Sequence, residues 1–182
     1  KNKQHIENGS DALTALKGYA DCELTNSSIV LSAGMNPRLY NYMEGFSAFD
    51  AYEWGKFHKK VIVKVSDYRS ALIQGKYLAK KGIWVSEFRI ESGLNCGGHA
   101  FATDGFLMGP ILEEFRLKKQ ELTDTLFEIY NAALWKKAGY GSHSFPHRHA
   151  GTGKYKSKIY QGTKAGPHAY RNMQPTLCKR VL

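Results

Sequence analysis

The stretch Lys60-Val61-Ile62-Val63-Lys64-Val65 decides the fold predicted for this chain. Its β-branched run is typical of a strand covered on both faces. Ser66 or Asp67 then caps a helix with apolar side chains along one side, and Lys80-Lys81-Gly82 ends that helix. A second apolar strand follows over residues 83–90. A strand, a helix and a strand joined by such short connections predict a right-handed βαβ crossover and a parallel sheet.

Further units of the same kind flank this one. Ser28-Ile29-Val30-Leu31-Ser32-Ala33-Gly34 indicates a buried strand ending in a glycine turn, and Pro37 suits the first turn of the next helix. Downstream, Pro110 begins a long amphipathic helix that ends near Lys137. The predicted class is therefore α/β with parallel βαβ units, in a doubly wound sheet or in part of a (β/α)8 barrel. Since a complete barrel needs about 250 residues, a barrel here would be partial.

Two other segments complete the predicted organisation of the domain. Apolar residues at helical spacing after Ser10, a candidate N-cap, predict a short first helix. The aromatic and polar segment from Gly45 to Lys60 has no clear period and is expected to be a loop.

The charge is concentrated in the last part of the chain. The 182 residues carry a net charge of +10. Residues 1–138 hold 18 basic and 16 acidic side chains, whereas residues 139–182 hold five Lys, three Arg and no acid. The latter segment has few branched aliphatic residues and no apolar period, so it cannot bury enough surface to offset its ordering entropy. We therefore predict a partial barrel-like domain over residues 1–138 and a basic, irregular tail over residues 139–182.

Composition also limits the cellular setting. No apolar run is long enough to span a membrane, and the start of the chain lacks a secretory pattern. Cys22, Cys96 and Cys178 are odd in number and have no paired spacing, which argues against a disulfide framework. The expectation is a cytoplasmic protein without a membrane partner.

Candidate chemistry lies in the loops that follow the predicted strands, because ligands of parallel α/β folds bind at the carboxyl ends of the strands. The loop from Glu91 to His99 contains three glycines followed by an imidazole. Glycines allow a ligand to approach the backbone closely, and histidine suits proton transfer near neutral pH. The alternative is a tight turn at Gly97-Gly98 with His99 beginning a helix.

Other residues outside the glycine–histidine turn are also considered as functional candidates. Lys64 interrupts a run of Val and Ile, so it requires an anionic or hydrogen-bonding partner. That partner is a cofactor or a nearby carboxylate, unless the ammonium extends to solvent at the end of the strand. Cys96 is more often a packed thiol than a nucleophile in such a context. The histidines at 143, 147 and 149 have no acid or Cys nearby, and no metal site is predicted.

These residues together resemble a known family. Val61-Ile62-Val63-Lys64-Val65-Ser66, a helix ending at Lys81-Gly82, a strand, and then Gly93-Leu94-Asn95-Cys96-Gly97-Gly98-His99 resemble nitronate monooxygenases and glutamate-synthase-like FMN-dependent (β/α)8-barrel oxidoreductases. Ser32-Ala33-Gly34-Met35-Asn36-Pro37 is similar to an earlier strand end of that family. The resemblance covers roughly residues 28–137.

The resemblance implies an FMN cofactor, a small-molecule substrate and specific residue roles. His99 would be the catalytic base that abstracts a proton while the flavin is reduced, and Lys64 would face the pyrimidine edge of the flavin. The other implied flavin contacts are Gly34, Ser92, Asn95, Gly97 and Gly98. Asn95-Cys96 depart from the Glu-Ala of the family, and Ser92 stands where the family often has Gln.

The largest departure from the family follows Gly139. The family continues with an apolar strand and a Gly-Gly turn that binds the FMN phosphate, but here the acid-free tail follows. Either the rest of the barrel is lost or the reading frame has shifted. Two alternatives follow, an active FMN-dependent enzyme or an incomplete fragment that is inactive because its phosphate site is missing.

Two alternative functions stay open. The tail interleaves tyrosines with basic residues, which suits weak binding of nucleic acid through residues 140–182 by phosphate contact and base stacking. A solvated tail without a partner is the simpler interpretation. The other alternative is a non-catalytic α/β module that acts through partners.

Overall fold

The computed structural model of the protein describes residues 9–52, 56–91 and 108–137, together with the backbone of residues 176–179. Strand β1 spans Ser27–Leu31, β4 spans Lys59–Val65, β5 spans Val85–Ile90 and β6 spans Thr176–Lys179. All four pair in parallel in the order β1-β4-β5-β6, so neighbours in the sheet follow each other along the chain. The α/β class and the parallel βαβ units predicted from the sequence are confirmed.

The connections between the strands are mostly helical. Helix α1 spans Asp11–Asp21 and precedes β1, α2 spans Pro37–Met43, α3 spans Tyr68–Lys80 and α4 spans Met108–Lys137. Between α2 and β4 lie a 3-10 turn at Ser47–Phe49 and a short antiparallel pair, β2 at Ala51–Tyr52 and β3 at Lys56–Phe57.

Helix boundaries follow the capping chemistry expected from the sequence. Asp67 is the N-cap of α3 and accepts a hydrogen bond from the Ser70 N–H, while Asn36 caps α2 just before Pro37. Gly82 follows α3 with a φ of 71°, a left-handed conformation that glycine adopts without steric cost. Ser10 occupies the N-cap position of α1, although its side chain makes no capping hydrogen bond.

The core lies between one face of the sheet and the helices, and we call this side of the sheet the first face. Phe88 of β5 and Val63 of β4 are in register, and both are fully buried. A Cβ atom on Gly75 of α3 would lie 3.2 Å from Phe88 Cζ and 2.8 Å from a methyl group of Leu126 on α4. Glycine at position 75 therefore lets α3 approach both the sheet and α4.

The opposite side, which we call the second face, is much more polar. Because side chains alternate along a strand, Ile62 and Lys64 of β4 point away from the first face. Glu87 and Arg89 of β5 are their register partners. Such a face differs from the branched apolar layers that usually fill a barrel interior.

The structure differs from the sequence predictions in several details. β1 was expected to be buried, but it is the outer strand of the sheet, and Val30 is 42% exposed on the second face. The predicted loop over residues 45–60 contains the β2–β3 pair, and β4 begins inside it at Lys59. Such short strands carry too few residues for their alternation to be visible in sequence.

The tail also differs in part from its prediction. Thr176–Lys179 forms β6 instead of irregular structure, because the free edge of β5 offers backbone N–H and C=O groups to another strand. The rest of the predicted irregular tail lies outside the described residues, which leave out residues 138–175 and 180–182.

Candidate functional site

Lys64 and Glu91 form an ion pair at the carboxyl end of the sheet. Lys64 Nζ lies 3.0 Å from Glu91 Oε2, and the two side chains are 26% and 9% exposed. Strand pairing positions the acid, since the Glu91 N–H donates to the Val65 carbonyl at 3.0 Å just after β5 ends. The carboxylate partner anticipated as one alternative for Lys64 is thus present.

Opposite charges alternate around this pair on the second face. Lys64 and Arg89 are register partners on neighbouring strands, an arrangement of like charges that is unfavourable alone. Glu91 neutralises the first cation, and Glu87 contacts Arg89 through one Oε1–Nη2 distance of 3.3 Å. The face therefore offers a charged, partly solvated surface rather than a dry layer.

Asp67 closes the N-terminus of α3 at the same end of the sheet. Burial opposes its ionisation, but hydrogen bonds from the Ser70 N–H, Ser70 Oγ and Ser66 Oγ outweigh burial and lower the pKa of Asp67. An ionised carboxylate already satisfies the positive end of this helix. A phosphate group at the same place would be repelled, so α3 does not provide a phosphate site.

Gln74 connects α3 to the loop after β1. Its Nε2 donates to the Ala33 carbonyl at 2.8 Å, and its Oε1 accepts from the Tyr40 hydroxyl at 2.6 Å. Burial raises the pKa of Tyr40 to about 12, so this phenol stays a donor at neutral pH. Gly34 follows directly and is exposed, and no atom of the described residues lies within 4 Å of the place where its Cβ atom would stand. As far as those residues go, a ligand atom has room to approach the backbone there.

The structure therefore brings together two of the predicted site residues. Gly34 and Lys64 lie at the carboxyl ends of the adjacent strands β1 and β4. The remaining predicted site residues lie outside the described residues: Ser92, Asn95, Gly97, Gly98 and His99. Glu91, the last described residue before them, shows only where their loop begins.

Sequence reasoning gave no role to Glu91, Gln74 or Tyr40. An acid directly after the second strand was a signal for Glu91, because strand ends of a parallel sheet lie side by side. Gln74 and Tyr40 carried no such signal, since a glutamine and a tyrosine on amphipathic helices are ordinary.

A buried lysine at the opposite end of the sheet was also missed. Lys59 is 4% exposed, and its ammonium donates to the carbonyls of Tyr19, Ala20 and Cys22 at 2.6–2.8 Å. These groups include the last carbonyls of α1, where a cation is favourable. All three of its N–H bonds are used, so we assign Lys59 a structural role.

Within the parts of the chain that the structure describes, no group of three His, Cys, Asp or Glu side chains could hold a metal ion. In the same parts, none of the helices has both the length and the apolar character to cross a membrane. Comparison with protein-family models, with curated proteins and with solved structures finds no match.

Proposed function

We propose that the protein is an FMN-dependent oxidoreductase built on part of a (β/α)8 barrel. The strand order supports a barrel type over a doubly wound sheet. In a doubly wound sheet the order reverses at a switch point, whereas β1, β4, β5 and β6 succeed one another in chain order as barrel strands do.

The observation that carries the proposal is the location of Lys64. Its ammonium points to the second face at the carboxyl end of β4, where barrel enzymes bind their ligands. A cation in this place suits the electron-rich pyrimidine edge of a flavin, and Glu91 holds it in one orientation. Gly34 lies in the loop after the neighbouring strand β1, and the space that the described residues leave there fits a flat ring against the backbone.

The proposed reaction divides between His99 and the cofactor. FMN supplies a two-electron acceptor when it is bound. His99 takes the proton from a carbon that carries an activating group such as a nitro function, and the neutral imidazole is the form that acts. Gly97 and Gly98 have no side chains, which in this proposal lets the flavin ring approach the backbone. Lys64 and Glu91 orient the ligand and take no part in the proton transfer.

An absorbance spectrum of the purified full-length chain, before and after incubation with FMN and gel filtration, tests the cofactor. We expect flavin bands that co-elute with the protein. Lys64→Met should weaken FMN binding about tenfold. Lys60→Met is the matched control, because Lys60 is an exposed lysine four residues earlier on the same strand. A chain that never retains FMN refutes the proposal.

A second variant tests the catalytic base separately from binding. His99→Asn should keep FMN and lose the oxidation of nitroalkanes by a factor of about a hundred or more. Full turnover by this variant would remove His99 from the mechanism while leaving the cofactor assignment intact.

The other two functions stay predictions. Nucleic-acid binding is predicted for residues 140–182, which lie outside the described residues except for the backbone of residues 176–179. A non-catalytic module would bind no FMN in the experiment above.

A further inference from the structure

Gln74 uses both ends of its side-chain amide inside the protein. It is 3% exposed on α3, and it joins the Tyr40 hydroxyl to the Ala33 carbonyl. A carbonyl oxygen only accepts hydrogen bonds, so the Nε2 group must face Ala33 and the Oε1 atom must face Tyr40. The amide orientation is thereby fixed by its partners.

This contact determines the direction of the next peptide group. The described residues contain no cis peptide bond, and in a trans peptide the C=O and the N–H point in opposite directions. The Ala33 oxygen points toward Gln74 on α3, which packs on the first face. The Gly34 N–H of the same peptide plane therefore points away from Gln74 and α3.

Gly34 itself has no packing reason to be glycine within its described surroundings. A Cβ atom at this position would meet nothing within 4 Å, and the φ angle is not positive. Among the described residues, the absence of a side chain leaves space beside this peptide, which is the usual benefit of glycine where a backbone binds a flat or anionic group.

We propose that Gln74, held in place by Tyr40, is a positioning residue that directs the Gly34 N–H toward the ligand of the proposed site. This inference rests on the proposed function. The Gly34 amide, in the loop after β1, and the Lys64 ammonium, on β4, would then be two donors at the same end of the sheet. Such a pair suits one acceptor-rich ligand edge, with carbonyl oxygens or a delocalised negative charge.

The test compares Gln74→Met with Tyr77→Phe in the full chain. Methionine keeps the length of the side chain and removes both hydrogen bonds. Tyr77 is the matched control, because its hydroxyl also links α3 to α2, through Asn41 Oδ1 at 2.9 Å, without contacting the 33–34 peptide. FMN titration should show an affinity about five- to tenfold weaker for Gln74→Met and unchanged for Tyr77→Phe.

A second readout follows the peptide directly. The residual dipolar coupling of the Gly34 N–H, measured without ligand, reports the direction of that bond. The wild-type value should fit one fixed direction, and Gln74→Met should change it while Tyr77→Phe should not. If Gln74→Met does not fold, Tyr40→Phe replaces it, with the same direction of change and an effect on affinity of about threefold.

The outcomes separate the two proposals. A wild-type chain that binds no FMN refutes the proposed function, and the Gly34 coupling then decides the positioning role alone. An unchanged Gly34 coupling in the Gln74 variant overturns the positioning role even if affinity falls, because the loss would then be structural. Wild-type affinity in that variant overturns it as well.

Discussion

The Lys64–Glu91 pair gives the most demanding prediction about the site. Lys64→Met keeps most of the apolar stem and removes the ammonium that lies 3.0 Å from a carboxylate only 9% exposed. Breaking a fully buried pair from one side costs about 3–5 kcal/mol, whereas a fully exposed pair contributes below about 1 kcal/mol. Since Lys64 is about a quarter exposed, we expect Lys64→Met to lower the free energy of unfolding by about 2 kcal/mol.

A double-mutant cycle isolates the pair from the packing of each side chain. The cycle combines Lys64→Met with Glu91→Gln and measures urea unfolding by circular dichroism at low salt. We expect a coupling free energy of about 1–2 kcal/mol, with the double variant less destabilised than the sum of the single ones.

The Lys118–Glu114 pair on α4 is the matched control for this cycle. Its Nζ–Oε1 distance is shorter, 2.7 Å, but its side chains are 46% and 43% exposed. Solvent screening should limit its coupling to about 0.3–0.5 kcal/mol. If both cycles gave the same coupling, or if the α4 pair gave the larger one, distance rather than burial would govern these pairs and our reasoning would be refuted.

The remaining predictions concern the packing and the two buried polar networks. Gly75→Ala should destabilise the fold by about 1–2 kcal/mol, because the added Cβ overlaps buried methyl groups at 2.8–2.9 Å. Gly18→Ala should stabilise the fold by about 0.5–1 kcal/mol, because the helical Cβ position meets no atom of the described residues within 4 Å. Equal midpoints of thermal unfolding would contradict this contrast. Lys59→Met should lower the free energy of unfolding in urea by about 3 kcal/mol, since three carbonyls at the end of α1 lose their donor. The control Lys60→Met should change that free energy by no more than about 0.5 kcal/mol. Similar losses in the two variants would disprove the structural role of Lys59. Burial raises the pKa of Tyr40 from an ordinary 10.0 to about 12 in the folded protein. The free energy of unfolding is therefore unaffected by this phenol below pH 10, and it falls as the pH rises from 10 to 12 because the unfolded chain loses the proton first. Tyr40→Phe should therefore flatten the alkaline fall in stability by about 2–3 kcal/mol, and an unchanged slope would show that other groups cause it.

Local patterns predicted the βαβ unit well because they reflect short-range chemistry. The β-branched run became β4, Asp67 capped α3, and Gly82 took the left-handed conformation after it. Such choices depend on residues a few positions apart, which the sequence displays directly. The burial of β1 was misjudged because a short apolar run looks the same in a central strand and in an outer one.

The candidate site was predictable only in part. Lys64 stood out because a cation among Val and Ile needs a partner, and one of the two partners considered, a carboxylate, is Glu91. The sequence did not predict that Glu91 is this carboxylate, because α3 separates the two residues along the chain. Three statements stay predictions: the flavin assignment, the role of His99 and the nucleic-acid alternative. Each of them depends on residues or ligands outside the described structure.

The sequence by itself determined the class of the fold, the order of its main strands and helices, and the end of the sheet at which chemistry is expected. These follow from periodicity, capping and the handedness of βαβ crossovers, all of which act locally. Tertiary structure alone decided which face Lys64 occupies relative to its neighbours, and that Gln74 holds the Ala33 carbonyl. It also decided that Lys59 is buried beneath α1 and that Thr176–Lys179 joins the sheet. The physical reason is that hydrogen bonds and ion pairs between distant segments depend on distances that exist only after the chain has packed.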